Sequence, residues 1–346
     1  MNSFSAEILR WFRENGRDLP WRETRDPYAI WLSEIILQQT RIAQGWEYWE
    51  RFVQTYPKVE DLAAASEDDV LKLWQGLGYY SRARNLHTAA KQIVALGAFP
   101  NTLEGIKSLK GVGDYTAAAI GSFAFDIPAA VVDGNVYRVL SRYFGIDTPI
   151  NSTQGKKEFA ALAQSLLPAS DAASYNQGMM DFGAIQCTPQ SPKCLLCPLA
   201  ETCEALRCGR VEELPVKNKT VKVKTRHLSY IYIRCKSSAA DGIGKSEPMV
   251  AIHRRGEGDI WQGLWEPYNV SDVKELPSFV KNPILLAKDV KHVLTHRILL
   301  ADFYLLETES RPPLLDDYIW IRESEIEDYG VPRLIEIMLE KINPAE

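Results

Sequence analysis

Apolar residues recur at helical spacing along most of the first 200 residues. The segments SAEILRWFREN, SEDDVLKLWQGLG and DYTAAAIGSFAF place them every three or four positions, which predicts amphipathic helices. Ser66 precedes three acidic residues, and glycines follow at 76 and 78, as expected of a helix start and a helix end. Short breaks containing glycine and proline separate the segments. We therefore predict a mainly α-helical region over residues 1–206.

The pattern changes after residue 227. The segments LSYIYIRC, PMVAIHRR, ADFYLLET and DYIWIRE are rich in β-branched and aromatic residues, which predicts strands, and VPRLIEIMLEKI has helical spacing. Residues 207–227 are polar and rich in lysine, which is typical of an interdomain linker. We therefore predict a second, smaller α/β domain over residues 228–346.

Length and composition agree with two soluble domains. A chain of 346 residues is long for one core, and 46% hydrophobic with 25% charged residues is ordinary for a globular protein. The charged N-terminus does not fit a secretory signal, and no apolar run approaches the roughly 20 residues that span a bilayer. We expect a cytoplasmic protein, associated with the nucleoid if bacterial. The net charge of −5 argues against a large non-specific polyanion binder but allows a narrow basic channel.

Four of the six cysteines lie within seventeen residues, in CTPQSPKCLLCPLAETC. The spacing is C-x6-C-x2-C-x5-C, and in a reducing compartment such a group indicates a metal site rather than disulfides. Four thiolates can hold zinc or an iron–sulfur cluster. Simple zinc sites more often show two C-x2-C pairs, so the single tight pair favours a cluster. The alternative is four unpaired thiols.

LKGVGDYTAAAI sets two glycines, Gly111 and Gly113, between two predicted helices. Glycines allow close backbone approach, and the next helix presents free N–H groups, which together suit a phosphate. A tight helix–helix corner explains the glycines equally well.

Two carboxylates stand out from their neighbours. Glu34 lies in the apolar segment WLSEIILQQTR, where it shares a predicted helical face with Gln38 and Arg41, and desolvation there would favour its protonated form. Asp133, in AVVDGNVYRVL, follows an apolar run at a helix start that would favour its anion. The plain alternatives are a solvated stripe for Glu34 and a helix N-cap for Asp133.

GLGYYSRARNLH combines two tyrosines with basic residues. Rings stack on bases and arginines pair with phosphates, so the mixture suits a nucleic acid. The alternative is a helix start whose tyrosines belong to the core.

The order of these stretches resembles that of the helix-hairpin-helix DNA glycosylases of the endonuclease III superfamily. DLPWR, WLSEIILQQT, DGNVYRVL and YNQGMMDFGAIQC are most similar to its adenine-specific branch, the MutY family. The resemblance covers residues 5–205 and implies two helical subdomains with an iron–sulfur loop. In the C-terminal region, HRRGEGDIWQGLWEP is similar to the MutT-like (Nudix-like) lesion-recognition domain of that branch.

The resemblance implies a reaction on double-stranded DNA in which adenine opposite 8-oxoguanine or guanine is flipped out and removed, leaving an abasic site. Glu34 occupies the position of the acid, and Asp133 that of the carboxylate that stabilises or traps the oxocarbenium-like sugar. Tyr115 is expected to hydrogen-bond near Asp133, and Asn135 to order the site. Bifunctional relatives carry a Schiff-base lysine where Tyr115 stands, so a monofunctional enzyme is expected.

The resemblance also implies ligands and contacts. A [4Fe–4S] cluster would be held by Cys187, Cys194, Cys197 and Cys203, and its loop would present Lys193 to DNA. The further substrate and DNA contacts are Arg17, Trp21, Arg22 and Leu37 near the adenine, Gln39 and Tyr79 in the duplex beside the lesion, and Gly111, Gly113 and Gln177. For the aromatic and leucine residues, core packing is the alternative.

The sequence departs from the family in its C-terminal loop. Where relatives often carry Phe-Ser-His to recognise 8-oxoguanine, this chain has Leu294-Thr295-His296, with a hydroxyl and an imidazole but no phenyl ring. Tyr137 stands where some relatives have a lysine. No R-E-x-x-E-E run follows GLWEP, which argues against nucleotide hydrolysis.

Two other functions stay open on the sequence. An endonuclease III-like glycosylase and lyase is disfavoured by Tyr115 and by the second domain. A lesion-binding protein without catalysis would be expected to lack Glu34 or Asp133. We expect a monomer with no membrane partner, and the sequence specifies no protein partner.

Overall fold

The computed structural model describes residues 3–218, 223–236, 247–270 and 277–343. Contacts divide the chain into two compact units, Met1–Ala64 with Thr88–Lys219 and Ala65–His87 with Thr220–Glu346. We call these the helical unit and the sheet unit. The sheet unit therefore takes in residues 65–87, which the sequence had assigned to the helical domain. Within the described ranges, no helix combines the length and apolar character needed to cross a membrane.

Helices form the first two thirds of the chain, in agreement with the periodicity. They are α1 (Ser3–Asn15), α2 (Pro27–Ile36), α3 (Ile42–Thr55), α4 (Val59–Ala64), α5 (Glu67–Leu73), α6 (Ser81–Leu96), α7 (Leu103–Ser108), α8 (Asp114–Phe125), α9 (Gly134–Phe144), α10 (Thr153–Leu166), α11 (Ala172–Asp181) and α12 (Glu204–Arg207).

Helix α2 is the most buried of these elements. Asp26 caps it by accepting a hydrogen bond from the Tyr28 backbone N–H at 3.0 Å, and every residue from Tyr28 to Ile36 is buried where α2 packs against α3 and α8. The helix ends at Ile36, and Gln39 then takes a left-handed φ of 60°. The expectation that Gln38 and Arg41 share a helical face with Glu34 was therefore wrong, because the helix stops before either residue.

One core of the helical unit joins α1 to the helices α9, α10 and α11. Phe4 and Ile8 of α1 pack with Leu140 of α9, Phe159 of α10 and Met179 of α11. Helix α11 continues into a π-helical turn, Phe182–Gln186, which leads directly to Cys187. Cys187 and Cys197 pack against this same core, so the cysteine loop is fixed to the helices that carry the candidate site.

The described residues of the sheet unit form β1 (Lys224–Cys235), β2 (Met249–Arg254), β3 (Trp265–Glu266), β4 (Tyr268–Val270), β5 (Ile284–Leu294), β6 (Arg297–Thr308), β7 (Tyr318–Arg322) and helix α13 (Arg333–Ile342). These seven strands make one sheet with the order β3-β2-β1-β6-β5, in which β4 also pairs with β1 and β7 with β2. Strands β1 and β6 are parallel, and the other pairs are antiparallel. Helix α13 covers one face, where Leu334, Ile335 and Met338 are fully buried.

The predicted strands and the final helix are present. The short strands β3 and β4 were not predicted, because runs of two and three residues give no alternating pattern. Strand β5 was not predicted, because it is an edge strand whose register shifts twice and whose polar residues interrupt the alternation. Strand β1 begins at Lys224, so residues 224–227 of the predicted linker belong to the sheet. Residues 219–222 of that linker lie outside the described residues.

Candidate active site

Three of the expected residues, Glu34, Tyr115 and Asp133, are brought together by the buried helix α2 and by the starts of α8 and α9. Glu34 lies in the last turn of α2 and is 7% exposed. Tyr115 is the second residue of α8, and its hydroxyl donates a hydrogen bond to Oε2 of Glu34 at 3.1 Å. Tyr115 was expected to bond near Asp133, but its hydrogen bond goes to Glu34. The predicted acid is therefore held by the phenol of a half-buried tyrosine.

Burial makes Glu34 an unusually weak acid. Desolvation raises its pKa to about 7, and the nearby negative charge of Asp133 adds to this effect. The hydrogen bond from Tyr115 and the positive charge of Arg22 both oppose it. The same burial raises the pKa of Tyr115 well above its ordinary value, so the phenol stays protonated. A carboxylic acid with a pKa near neutrality suits general acid catalysis.

Asp133 is the N-cap of α9, which was the plain alternative left open by the sequence. One of its oxygens accepts from the Val136 N–H at 2.8 Å, and the other accepts from the Asn135 amide at 2.8 Å. These hydrogen bonds lower its pKa, but burial outweighs them and the net direction is upward. Asn135 in turn accepts from Arg138 at 2.8 Å, so the carboxylate is oriented by a fixed chain of partners.

The hairpin between α7 and α8 carries the two glycines. Gly111 has a left-handed φ of 79°, a conformation that favours glycine. Gly113 is the N-cap of α8, and a Cβ built there would meet no atom within 4 Å. Packing inside the protein therefore does not require glycine at residue 113. The open approach to the first turn of α8 agrees with a phosphate contact.

The residues expected near the adenine lie around α1, α2 and α11. Trp21 is buried and meets Trp46 and Trp49 edge-on, with ring centroids 5.8 and 5.6 Å apart. Leu37 follows α2, where its side chain lies against Gly45. Gln177 is a half-buried residue of α11. Arg17 and Arg22 both bond to the buried carboxylate of Asp181, which sequence reasoning did not single out.

The two residues expected to enter the duplex share a backbone feature. Gln39 in the helical unit and Tyr79 in the sheet unit are exposed, and each has a positive φ, 60° and 49°. Non-glycine residues in this region are uncommon and strained, which is a frequent property of functional loops. The two tyrosines of GLGYYSRARNLH differ in exposure, since Tyr79 is 47% exposed whereas Tyr80 is buried.

The expected lesion residues form a turn within the sheet unit. Thr295 and His296 are the two residues that connect β5 to β6, and both are exposed. The hydroxyl oxygens of Thr295 and Tyr79 are 2.5 Å apart. This unit thus places the predicted wedge and the predicted lesion contact side by side. The basic residues of the same stretch are turned inward, since Arg82 is buried and Arg84 donates to the Gln262 carbonyl at 2.6 Å.

The four clustered cysteines line one cavity. Cys187, Cys194, Cys197 and Cys203 surround it with Arg142, Pro192 and Lys193. Burial and the proximity of the other thiols raise the pKa of Cys197 to about 11, and those of Cys194 and Cys203 also rise. Four thiols around one cavity fit a cluster with several irons.

Arg138 and Arg142 of α9 connect this loop to the helices. Arg138 donates to the Cys187 carbonyl at 2.7 Å and to the Gly183 carbonyl at 2.7 Å, in addition to its bond with Asn135. Arg142 donates to the Cys187 sulfur at 3.5 Å and to the Thr188 carbonyl at 2.7 Å. The sequence signal for both was an arginine on an apolar helix face, which requires a buried partner.

Comparison with known proteins agrees with this architecture. Residues 32–168 match the HhH-GPD superfamily base excision DNA repair protein, 187–203 the iron–sulfur binding domain of endonuclease III, and 243–341 the NUDIX domain. A thermostable thymine-DNA glycosylase is similar in structure, with a TM-score of 0.56 and 35% identity over 59% of this chain and 95% of that one. A trapped endonuclease III–DNA covalent intermediate shares the fold at 24% identity and TM-score 0.52, covering 59% and 94%.

Fold and site together define a helix-hairpin-helix base excision repair glycosylase with a [4Fe–4S] cluster and a C-terminal NUDIX domain. Adenine DNA glycosylase of Buchnera aphidicola from Acyrthosiphon pisum is 31% identical over 97% of both chains, and that of Mus musculus is 42% identical over 62% of this chain and 44% of its own. The chain belongs to the adenine DNA glycosylase family.

Proposed function

We propose that this protein removes adenine mispaired with 8-oxoguanine or guanine from double-stranded DNA and leaves an abasic site without cutting the strand. The observation that carries the proposal is a pair of carboxylates, Glu34, which is buried, and Asp133, which is half-buried. Glu34 has a pKa near neutrality, and Asp133 is a helix cap oriented by Asn135. One group is suited to give a proton and the other to face a developing cation.

The adenine must leave the base stack before its glycosidic bond can be reached. Protonated Glu34 donates its proton to the ring, so that the base departs as neutral adenine and not as an anion. As the bond breaks, its electron pair goes to the base and the sugar becomes oxocarbenium-like. Asp133 stabilises or traps that cation, and water finally adds to the sugar. Tyr115 holds the carboxyl group of Glu34 in position through its 3.1 Å hydrogen bond.

Strand cutting is not part of this proposal. A glycosylase that nicks DNA through a Schiff base needs an amine as the nucleophile. Tyr115, at the second residue of α8, has a phenol hydrogen-bonded to Glu34 and cannot form an imine. A monofunctional enzyme follows from this chemistry.

Each unit contains residues that we assign to DNA binding. We assign Arg17, Trp21, Arg22, Leu37 and Gln177 to the adenine side, Gln39 and Tyr79 to the duplex, and Thr295 and His296 to the opposite base. Gly111 and Gly113 would contact a phosphate through backbone N–H groups. The hydroxyl pair of Tyr79 and Thr295 supports recognition of a base with an additional polar edge. The protein would act as a monomer in the cytoplasm, associated with the nucleoid if the cell is bacterial.

The cluster would be held by the thiolates of Cys187, Cys194, Cys197 and Cys203. Its iron–thiolate bonds would tie together a loop that Arg138 and Arg142 anchor to α9, and Lys193 of that loop would face DNA. It takes no part in breaking the glycosidic bond. Anaerobically purified protein is expected to be brown, with roughly four irons per chain. One zinc per chain and no colour would contradict the assignment of an iron–sulfur cluster to these four cysteines.

The test of the activity is single-turnover cleavage of three duplexes, each assayed with and without alkali. They contain adenine opposite 8-oxoguanine, adenine opposite guanine, and thymine glycol opposite adenine. Breaks on the first two that need alkali, and that are lost in Glu34→Gln and Asp133→Asn, support the proposal. Asp126→Asn, which removes an exposed carboxylate paired with Arg25, serves as the matched control.

The other outcomes separate the alternatives. Breaks on thymine glycol without alkali would assign the protein to the endonuclease III-like lyases. Tight binding of a duplex with no base release would indicate a lesion-binding protein.

A further inference from the structure

A buried carboxylate that the mechanism above does not use lies beside the adenine-side arginines. Asp181 is the last residue of α11, and its side chain is completely buried. Arg17 follows α1, and Arg22 ends the short helical turn Pro20–Arg22. The three residues are brought together by the packing of α1 on α11.

Both oxygens of Asp181 are saturated with donors. Arg17 gives its backbone N–H and its Nε–H, each at 2.9 Å, and its Nη2 also bonds to the carboxylate. Arg22 approaches in a bidentate manner, at 2.8 and 2.9 Å. Its Nη1 also donates to the Arg17 carbonyl at 2.9 Å. Paired forks of this kind fix a guanidinium in both position and plane.

The same cluster acts on the acid of the site. Arg22 is the cation whose charge opposes the high pKa of Glu34. One carboxylate between two guanidinium groups leaves a net charge of about +1 in the cluster, and without it the charge would be about +2. The charge of residue 181 therefore sets how strongly the cluster favours the anionic form of Glu34.

We propose that Asp181 is a positioning residue of the adenine site, which holds Arg17 and Arg22 in place and offsets the positive charge that Arg22 directs at Glu34. The assignment of Glu34 as the acid rests on the proposed function. Gln177 lies four residues before Asp181 and hence on the same face of α11. This face of α11 would therefore supply Gln177 as a direct contact and Asp181 as the support for Arg17 and Arg22.

The groups that face Glu34 give the sign of the expected effect. Tyr115 of α8 and Arg22 lower its pKa, whereas Asp133 before α9 raises it. Asp181→Asn keeps the shape of the side chain but removes its charge, so Arg22 acts on Glu34 without compensation. The pKa of Glu34 then falls, and the proton needed for base release is lost at lower pH.

The experiment follows Glu34 in two independent ways. Glutamate labelled with ¹³C at the carboxyl carbon is titrated by NMR in the whole protein, and the Glu34 signal is identified by its loss in Glu34→Gln. The single-turnover rate of adenine release is measured over the same pH range. In Asp181→Asn we expect both the titration midpoint and the high-pH fall of the rate to move down by about one pH unit, a tenfold change in protonated Glu34.

The controls separate positioning from folding. Asp126→Asn removes the carboxylate of an exposed Arg–Asp pair at the far end of α8, and both midpoints should be unchanged. Asp181→Glu restores the charge, and its midpoints should return toward those of the unsubstituted protein. A variant that is merely unstable loses active fraction without moving either midpoint.

An unchanged or higher Glu34 midpoint in folded Asp181→Asn would overturn the inference. If the unsubstituted protein released no adenine, the proposed function would fail. The NMR titration would still show whether Asp181 controls the charge around Glu34.

Discussion

The two units each contain a buried glutamate that accepts a hydrogen bond from a tyrosine hydroxyl. In the helical unit, the Tyr115 hydroxyl lies 3.1 Å from Oε2 of Glu34. In the sheet unit, the Tyr230 hydroxyl lies 3.1 Å from Oε2 of Glu266. The exposed fractions are 7% for Glu34 and 1% for Glu266. The two carboxylates are therefore alike in their burial and in this hydrogen bond.

They differ in the cations that reach the carboxylate. Arg255 contacts both oxygens of Glu266, at 2.6 and 2.5 Å, and Asn269 donates to it at 2.5 Å. For Glu34, Arg22 acts through its charge, while its guanidinium is bonded to Asp181. Glu266, with a guanidinium bound to it, has a structural role. Glu34, whose cation Arg22 is bound to Asp181, keeps its proton near neutral pH and can act as an acid.

The largest effect that sharpens this comparison is the loss of the acid. Glu34→Gln keeps the size of the side chain but removes the proton that can be donated. We expect adenine release to slow by roughly 10²- to 10⁴-fold, the usual contribution of a general acid, while binding of the mispaired duplex is retained. Single-turnover rates and a fluorescence binding isotherm measure the two quantities. A reduction of only twofold would show that another group protonates the adenine.

The corresponding change in the sheet unit should act on stability. Glu266→Gln leaves Arg255 buried without its main partner, and breaking a buried ion pair costs roughly 3–5 kcal/mol. Urea unfolding, followed by near-ultraviolet circular dichroism, measures this cost. The matched control is Glu67→Gln, which breaks an exposed pair with the neighbouring Arg254 and should cost at most about 1 kcal/mol. Equal losses in the two variants would contradict the difference in burial.

The third prediction concerns the pH dependence of stability. The folded pKa of Glu34, about 7, lies above its ordinary value of 4.5, so the folded state holds a proton that the unfolded state has released between these values. The stabilisation that comes from this proton is therefore fully present below pH 4.5. It is lost as the pH rises to about 7, which lowers the free energy of unfolding by about 3 kcal/mol. Glu34→Gln should abolish this loss and be more stable than the unsubstituted protein at pH 8. Unfolding at pH 5 and pH 8, monitored at 222 nm, compares the two proteins, and parallel pH profiles would contradict the raised pKa.

Sequence reasoning was most successful where the local signal and the packing agree. The helix α8 was predicted with its observed bounds because DYTAAAIGSFAF has apolar residues at helical spacing and follows a glycine. The N-cap roles of Ser66 and Asp133 followed from residue type alone. Strand β5 escaped prediction because Lys288, Asp289 and Lys291 interrupt its pattern at the edge of the sheet.

The candidate site was only partly predictable, because its partners are distant in sequence. Glu34 could be recognised as a glutamate among apolar residues, but its bond to Tyr115 spans 81 residues. Asp181 stands in the apolar segment MMDFGAI, which signals a buried carboxylate that needs a cation. The sequence does not specify that the cations are Arg17 and Arg22, since this depends on how α1 packs against α11.

The smallest predicted effects come from the two tyrosine hydroxyls, and they separate the glutamates most directly. Tyr115→Phe removes a hydrogen bond that lowers the pKa of Glu34, so that pKa should rise and the fall in base release should move to higher pH, by less than about one unit. Tyr230→Phe removes the equivalent bond to Glu266 and should cost about 1 kcal/mol of stability with no shift in the rate profile.

The pair of variants tests the roles of the two glutamates with identical chemistry, because each loses one hydroxyl. Single-turnover rates between pH 6 and pH 9 and urea unfolding, measured on both, are sufficient. A shifted rate profile in Tyr115→Phe alone would place the titrating acid at Glu34. If both profiles were unchanged, the phenol would be a structural partner in both units. The high-pH fall in the rate would then have to come from a group other than Glu34.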